Sequence, residues 1–193
     1  ADGKFFKRNM EFCAVRGELT RKNVERMTGK KMDIPMADAG ILASELLKER
    51  PEVCYDVGVV PHLCDLKDPA VEKLLASYDN AKLINVKDDP LQVVKEIAEC
   101  RYIISSSLHG LIVADSLGIP NMYLVFGDRL LGDGYKFEDY YSAYGVGARP
   151  RDLRTEKAPE LTEIKEQYKI LPEMVEEKKR QMKAAFPYPV KNR

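Results

Sequence analysis

The chain alternates short apolar runs with amphipathic segments, and this pattern limits its possible folds more than any other feature. Apolar runs predict strands at residues 11–15, 32–36, 55–60, 82–86, 102–105 and 121–125. Apolar positions at helical spacing predict helices over residues 20–27, 39–48, 69–78, 91–100 and 108–117. Strand, helix and strand in succession form the unit of a mainly parallel sheet with helices on its faces. We therefore predict an α/β fold, a Rossmann-like three-layer sandwich that binds ligands at the carboxyl ends of its strands.

The ends of the predicted helices carry capping and stop signals. Asp68-Pro69 and Asp89-Pro90 each place a capping aspartate before a proline that suits the first helical turn. Gly118-Ile119-Pro120 ends the helix over residues 108–117. These signals predict short connections between strands and helices.

The character of the sequence changes after Pro150. Residues 1–150 are predicted to form the Rossmann-like domain, and residues 151–193 a charged connector and a surface helix that pack on the same domain. The helix is predicted over residues 173–183. Pro187-Tyr188-Pro189 cannot continue it, because proline lacks the backbone donor that a helix interior needs.

Composition and charge exclude several classes of protein. With 45% hydrophobic and 32% charged residues, the chain has enough apolar side chains for a folded core. Its 31 basic and 31 acidic residues balance, so no general affinity for nucleic acid or anionic membranes is expected. No apolar run approaches the roughly 18–20 residues of a membrane helix. The start, Ala1-Asp2-Gly3-Lys4, has no apolar signal core, and a cytoplasmic protein is expected.

The cysteines and the missing motifs narrow the field further. Cys13, Cys54, Cys64 and Cys100 form neither a CxxC pair nor a pattern with paired histidines, which argues against a zinc site and a disulfide framework. Reduced, mostly buried thiols are expected, with no metal or cofactor required. GxGxxG, phosphate-loop and GxSxG motifs are absent, which disfavours dinucleotide oxidoreductases, P-loop NTPases and α/β-hydrolases.

The segment Ser105-Ser106-Ser107-Leu108-His109-Gly110 is the strongest candidate for chemistry. It leads from a predicted buried strand into a helix, so the imidazole of His109 would lie in the first helical turn, whose unpaired amides attract anions. The serine hydroxyls add donors, and an imidazole with a pKa of about 6.5 can give or take a proton. Gly110 would let the helix approach the sheet, or a ligand approach the backbone. An anionic substrate and acid catalysis fit, but a junction histidine beside capping serines explains the spacing equally well.

Three other segments offer weaker candidates. Arg16 follows an apolar run, and its planar fork suits a carboxylate or phosphate, although on this pattern alone a surface arginine beside a flexible glycine is the more common explanation. His62, with Asp65 three residues later, either lines the same crevice or is an idle loop residue. The aromatic residues of segment 136–141 are predicted to pack under the sheet edge, leaving only a carboxylate such as Glu138 or Asp139 to face a ligand.

Taken together, these segments resemble the polysaccharide pyruvyl transferase family. The resemblance rests on Ala14-Val15-Arg16-Gly17-Glu18-Leu19-Thr20, on Val60-Pro61-His62, and on Ser105-Ser106-Ser107-Leu108-His109-Gly110 followed by Gly118-Ile119-Pro120. It spans about residues 13–145 and is strongest over residues 88–124. The combination and order of these motifs are more specific than any one of them.

The resemblance implies the C-terminal half of a glycosyltransferase-B-like fold. It also implies transfer of a pyruvyl group from phosphoenolpyruvate to a sugar of a cell-surface polysaccharide precursor, as a ketal, in exopolysaccharide biosynthesis. The partners would be phosphoenolpyruvate and a glycan or lipid-linked sugar acceptor, with no cofactor. By this likeness His109 is the general acid and Arg16 holds the anionic donor. From their positions at the predicted strand ends, Ser105, Ser106, Ser107, Leu108, Gly110 and His62 are also predicted to bind substrate.

Two departures from the family pattern leave alternatives open. Many members carry an arginine two residues before the histidine, where this chain has Ser107. Few residues precede Arg16, so the family's N-terminal half is expected to be absent. Whether the isolated half is an active enzyme is left open by the sequence. One alternative is a nucleotide-sugar glycosyltransferase of the same fold that binds ribose near Glu138. Another is a truncated, non-catalytic domain with an exposed apolar patch beside Arg16, and a homo-oligomer remains open.

Overall fold

A computed structural model describes residues 10–128 and 134–187 of the chain. Over these residues the chain forms a five-stranded, all-parallel sheet in the order β2-β1-β3-β4-β5. The strands are β1 Tyr55–Val60, β2 Ala81–Leu83, β3 Cys100–Ser105, β4 Asn121–Val125 and β5 Arg151–Asp152. Residues 1–4, Tyr188 and Pro189 lie outside the described residues. The parallel sheet with helices on both faces confirms the predicted Rossmann-like three-layer sandwich.

The helices are α1 Glu18–Thr28, the 3-10 helix Ala39–Leu46, α2 Pro69–Leu75, α3 Pro90–Ala98, α4 Leu108–Ser116, α5 Tyr135–Ser142, α6 Leu161–Gln167 and α7 Pro172–Ala185. They cover both faces of the sheet because the central strands β1, β3 and β4 carry apolar residues on both sides. In β3, Ile103 packs against α3 and α4, whereas the next residue, Ile104, packs against α2 and α6. Tyr123 of β4 stacks on Phe137 of α5, with ring centroids 3.9 Å apart.

The strand order creates a crevice between β1 and β3. The chain passes from β1 to β2 on one side and returns to β3 on the other, so the loops after β1 and β3 leave the sheet in opposite directions. Val60 and Ser105 pair in register at the carboxyl ends of these strands. The turn after β1 therefore lies beside the turn into α4, as the Rossmann-like interpretation requires.

The first two predicted strands are wrong. Val15 and Met36 form an isolated parallel bridge, and the neighbouring residues 10–14 and 32–35 are not in strands. The bridge is held by the bonds from Val15 N–H to Pro35 O and from Ala37 N–H to Val15 O. Pro35 has no N–H to extend the ladder, so the pairing stops there.

Most of the predicted helices are present in the structure. The differences lie in the segment over residues 39–48 and in the connector after Pro150. The predicted helix over residues 39–48 is a 3-10 helix that ends at Leu46, packed so closely that a side chain on Gly40 would lie 3.0 Å from Ile112. The connector after Pro150 contains β5 and α6, which the charge pattern did not predict. Among the described residues no helix is long and apolar enough to cross a membrane.

The expectation of mostly buried thiols is also wrong. Cys100 is buried, Cys13 is half-buried, and Cys54 and Cys64 are exposed. These four residues form no disulfide. Cys64 lies in the turn after β1, where its sulfur is 3.0 Å from Nδ1 of His62.

Candidate functional site

A cavity of about 560 Å³ lies at the carboxyl ends of β1 and β3, and we call it the strand-end cavity. Its walls come from the turns after these strands and from the 3-10 helix, α3 and α4. The polar side chains that line it are Arg16, His62, Lys87, Asp88, Ser107, His109 and Lys136. This is the place where open parallel sheets bind ligands.

His109 occupies the first turn of α4 and lines the strand-end cavity. Its side chain is exposed, so the ring is accessible to a ligand. Gly110 next to it packs directly on the sheet, since a Cβ there would lie 2.6 Å from Ser105 Oγ and 2.8 Å from Val60 Cγ1. The glycine thus lets α4 begin close to the strand ends and holds His109 at the mouth of the crevice.

The three serines before His109 have different surroundings. Ser105 Oγ donates to Val60 O at 2.7 Å and accepts from Ser107 N at 2.9 Å. Ser106 Oγ donates to Asp65 Oδ2 at 2.7 Å and accepts from the backbone N–H of His62. These two hydroxyls join the turns after β1 and β3 and are not in the cavity wall, whereas Ser107, Leu108 and Gly110 are.

Arg16 lines the same cavity, although it lies far from His109 in sequence. Its Nε donates to Asp38 Oδ2 at 3.0 Å, and Asp38 also caps the 3-10 helix through Gly40 N. About a third of the arginine side chain is exposed (35%), so the guanidinium is anchored on one side and accessible on another. A fork held in this way suits bidentate recognition of a carboxylate or phosphate.

Neither of the carboxylates considered after β4 lies in the strand-end cavity. Asp139 is buried and accepts bonds from Thr20 N at 2.8 Å and Thr20 Oγ1 at 2.6 Å, so it caps α1 and does not face a ligand. Glu138 is exposed but lines a separate cavity of about 270 Å³, together with Tyr123 and Pro150. The segment itself is α5, a helix that the sequence did not predict.

His62 also lines the strand-end cavity, in an environment that disfavours its charged form. Partial burial lowers the pKa of His62, and the positive charge of Lys136 lowers it further, while Asp65 opposes both effects. Asp65 is buried under the turn and bonded to Ser106, so it does not line the cavity. The net effect favours the uncharged form of the ring.

The sequence did not single out Lys87 and Lys136. They line the strand-end cavity with Arg16, and Asp88 is the acidic side chain in the same lining. The excess of basic groups suits a negatively charged ligand. The other wall is apolar, and it includes Leu46 and Leu63, whose residues are 58% and 54% exposed.

An open parallel sheet with basic groups and two imidazoles at its strand ends defines a Rossmann-like protein whose candidate site suits an anionic ligand. The profile of the family described as polysaccharide pyruvyl transferase matches residues 4–126, and the chain belongs to that family of transferases. It is also similar to an uncharacterized protein of Acanthamoeba polyphaga mimivirus, with 34% identity over 148 residues. The match covers 74% of this chain and 51% of the relative, so the chain spans about half the relative's length. No solved structure matches the chain significantly.

Proposed function

We propose that the protein transfers the pyruvyl group of phosphoenolpyruvate to two hydroxyls of one sugar in a polysaccharide precursor, forming a ketal. The observation that carries the proposal is that Arg16 and His109, from opposite ends of the family match, line one basic cavity. Phosphoenolpyruvate carries a carboxylate and a phosphate on a small apolar vinyl group. The basic side chains and the apolar wall of the strand-end cavity complement these parts.

The side chains of the strand-end cavity bind the anionic groups of phosphoenolpyruvate and give this substrate one proton. Arg16 and Lys136 hold the anionic groups, and His109 protonates the methylene carbon of phosphoenolpyruvate, which makes the adjacent carbon electrophilic. One sugar hydroxyl attacks that carbon, and its proton returns to His109. Phosphate then leaves with the electrons of its bond to this carbon. A second hydroxyl of the same sugar closes the ketal and gives its proton to the phosphate.

Ser107 occupies the position where many family members carry arginine. It precedes α4 and makes no side-chain capping bond, and the residue lines the strand-end cavity. A serine can donate one hydrogen bond but supplies no charge. Lys136 and Lys87 provide positive charge in the same lining, so they compensate for the missing guanidinium.

Binding of phosphoenolpyruvate by the purified chain tests the donor assignment, and isothermal titration measures it. Arg16→Ala is expected to weaken binding about 10- to 100-fold, because a charge-assisted hydrogen bond is worth about 1.5–3 kcal/mol. Arg101→Ala is the matched control, since Arg101 is an exposed arginine paired with Asp56 outside the cavity. Preference for a uridine diphosphate sugar over phosphoenolpyruvate would contradict the proposal and favour the glycosyltransferase alternative.

A non-catalytic binding domain is the second candidate, and the exposed Leu46 and Leu63, which line the same cavity as Arg16, favour it. The two candidates differ in turnover. We expect the protein to release phosphate from labelled phosphoenolpyruvate and to transfer the label to lipid-linked glycans. Binding of phosphoenolpyruvate without any transfer to such glycans would favour the binding domain.

A further inference from the structure

The turn after β1 brings two polar groups of Cys64 to one nitrogen of His62. The backbone N–H of Cys64 donates to His62 Nδ1 at 3.3 Å, and the sulfur of Cys64 lies 3.0 Å from the same nitrogen. The thiol also lies 3.6 Å from Asp65 Oδ1, which is a second acceptor for its proton. The thiol can donate to Nδ1 or accept from it, whereas the backbone N–H of Cys64 can only donate.

This arrangement decides which nitrogen of the ring carries the proton. A nitrogen that accepts a hydrogen bond has its lone pair available, so Nδ1 is unprotonated and the neutral ring carries its proton at Nε2. The main chain of His62 is fixed as well, since its N–H donates to Ser106 Oγ at 2.9 Å and its carbonyl accepts from Asp65 N at 2.8 Å. The imidazole therefore has a defined tautomer in a rigid turn.

Partial burial favours the neutral ring of His62, whereas the charges of Lys136 and Asp65 act on it in opposite directions. Lys136 of α5 disfavours a second proton on His62, and Asp65 in its own turn favours one. Arg16, Lys87, Asp88 and His109 are the other titratable groups of the lining. Protonation at Nδ1 would also place that proton against the backbone N–H of Cys64, which can only donate.

We propose that Cys64 is a positioning residue that holds His62 in the neutral Nε2–H tautomer. The neutral ring of His62 then donates a hydrogen bond from Nε2 to the anionic donor substrate. His109 alone carries the proton that is transferred. The ligand part of this assignment rests on the proposed function. The tautomer part does not, because it concerns the free protein.

Nitrogen-15 NMR of the free protein tests the tautomer. The chain has only two histidines, so each ring gives separable signals and His109 is an internal reference. In the wild-type protein near neutral pH we expect His62 to show an unprotonated Nδ1 and a protonated Nε2. A proton on Nδ1, in either the other tautomer or the charged ring, would overturn the assignment.

Substitution of Cys64 separates its role from general stability. Loss of a donor to the neutral ring favours protonation, so Cys64→Ala is expected to raise the His62 titration midpoint by ~0.5–1 pH unit without moving that of His109. Cys64→Ser restores a donor and is expected to return the midpoint toward the wild-type value. Cys54→Ala is the control, since that exposed thiol lies near Glu52 O and away from the imidazoles. An unmoved midpoint in Cys64→Ala shows that the thiol does not position the ring.

The ligand part is tested with phosphoenolpyruvate and two amide variants. The amide of Gln reaches about as far as Nε2, whereas the amide of Asn reaches only about as far as Nδ1. His62→Asn is expected to bind about tenfold more weakly than wild type, and His62→Gln to recover most of that loss. Equal affinities of wild type and His62→Asn would remove His62 as a donor. Failure of the wild type to bind phosphoenolpyruvate would instead remove the proposed function, and the NMR result would still decide the tautomer.

Discussion

Gly17 owes its identity to a residue far away in the sequence. Its backbone is extended, with φ −158°, which any residue can adopt. A Cβ at this position would lie 1.6 Å from the carbonyl oxygen of Asp139, in α5. The requirement for glycine is therefore the close approach of two backbones, which brings α1 against α5 and orients Arg16 toward the strand-end cavity. No local pattern in the sequence could reveal this contact.

Gly17→Ala is expected to lower the free energy of unfolding by about 3 kcal/mol, because the two segments must move apart. Gly147→Ala is the matched control, since nothing lies within 4 Å of a Cβ placed there and its φ is not positive. The control is expected to change stability by less than about 0.5 kcal/mol. Urea unfolding measures both variants, and similar values for the two would show that the close approach is not maintained in solution.

His109→Ala is expected to lower the rate of pyruvyl transfer about 10²- to 10⁴-fold, because it removes the group that we propose as the proton donor to phosphoenolpyruvate. The fold should be unaffected, since the side chain is exposed in the first turn of α4. The loss should appear mainly in kcat, measured as transfer of labelled pyruvate to a lipid-linked glycan. An unchanged rate with a folded variant would remove His109 from the mechanism.

At the scale of secondary structure, the local signals succeeded where the segment is buried or capped. Residues 55–60 and 121–125 form strands with the predicted bounds, because these apolar runs are enclosed between two helical layers. α5 was missed because its first turn lacks a capping side chain and its aromatic residues gain their stability from packing, as Phe137 does on Tyr123. His62 and His109 follow β1 and β3 as predicted, whereas Arg16 follows the single bridge residue Val15 and not the predicted strand. Lys136 could not be found, because it reaches the cavity only through α5.

The capping of α3 makes a prediction at this scale. Asp89 accepts from Leu91 N at 3.0 Å and Gln92 N at 3.2 Å, and α3 forms one wall of the strand-end cavity through Val93 and Val94. Asp89→Ala is expected to cost about 1 kcal/mol of unfolding free energy, because two amides lose their acceptor. Asp89→Asn keeps an acceptor oxygen and should cost less than about half of that. Equal losses in thermal unfolding of the two variants would mean that the charge, and not the cap, stabilises the helix.

At the scale of the whole molecule, a buried carboxylate connects elements that the sequence pattern treats as separate. Asp115, at the end of α4, accepts from Asn121 Nδ2 at 2.6 Å, Tyr140 OH at 2.6 Å and Tyr168 OH at 2.9 Å. These partners belong to β4, α5 and the segment before α7. The sequence gives no sign of this network, because its members are spread over more than 50 residues and meet only in the folded chain.

Burial raises the pKa of Asp115 to about 6, and the hydrogen bonds from Tyr140, Asn121 and Tyr168 oppose that rise. The unfolded chain loses this proton near the ordinary value of 3.8, so between these values the folded protein binds more protons than the unfolded one. Stability from this group is therefore fully present below about pH 4 and is lost as the pH rises through about 6. The difference of about two pKa units corresponds to about 3 kcal/mol.

Asp115→Asn tests this linkage, because an amide does not titrate. The variant is expected to be less stable than wild type, since one carbonyl oxygen cannot accept from all three donors. Its deficit should shrink by about 2–3 kcal/mol between pH 4 and pH 7.5, as the wild type alone loses the contribution of the protonated carboxyl. Denaturant unfolding of both proteins at a series of pH values measures the deficit, with Asp79→Asn as the exposed control. A deficit that stays constant or grows with pH would mean that the pKa of the Asp115 carboxyl is not raised in the folded protein. If the variant does not fold, carbon-13 NMR of the Asp115 carboxyl in the wild-type protein measures the same pKa.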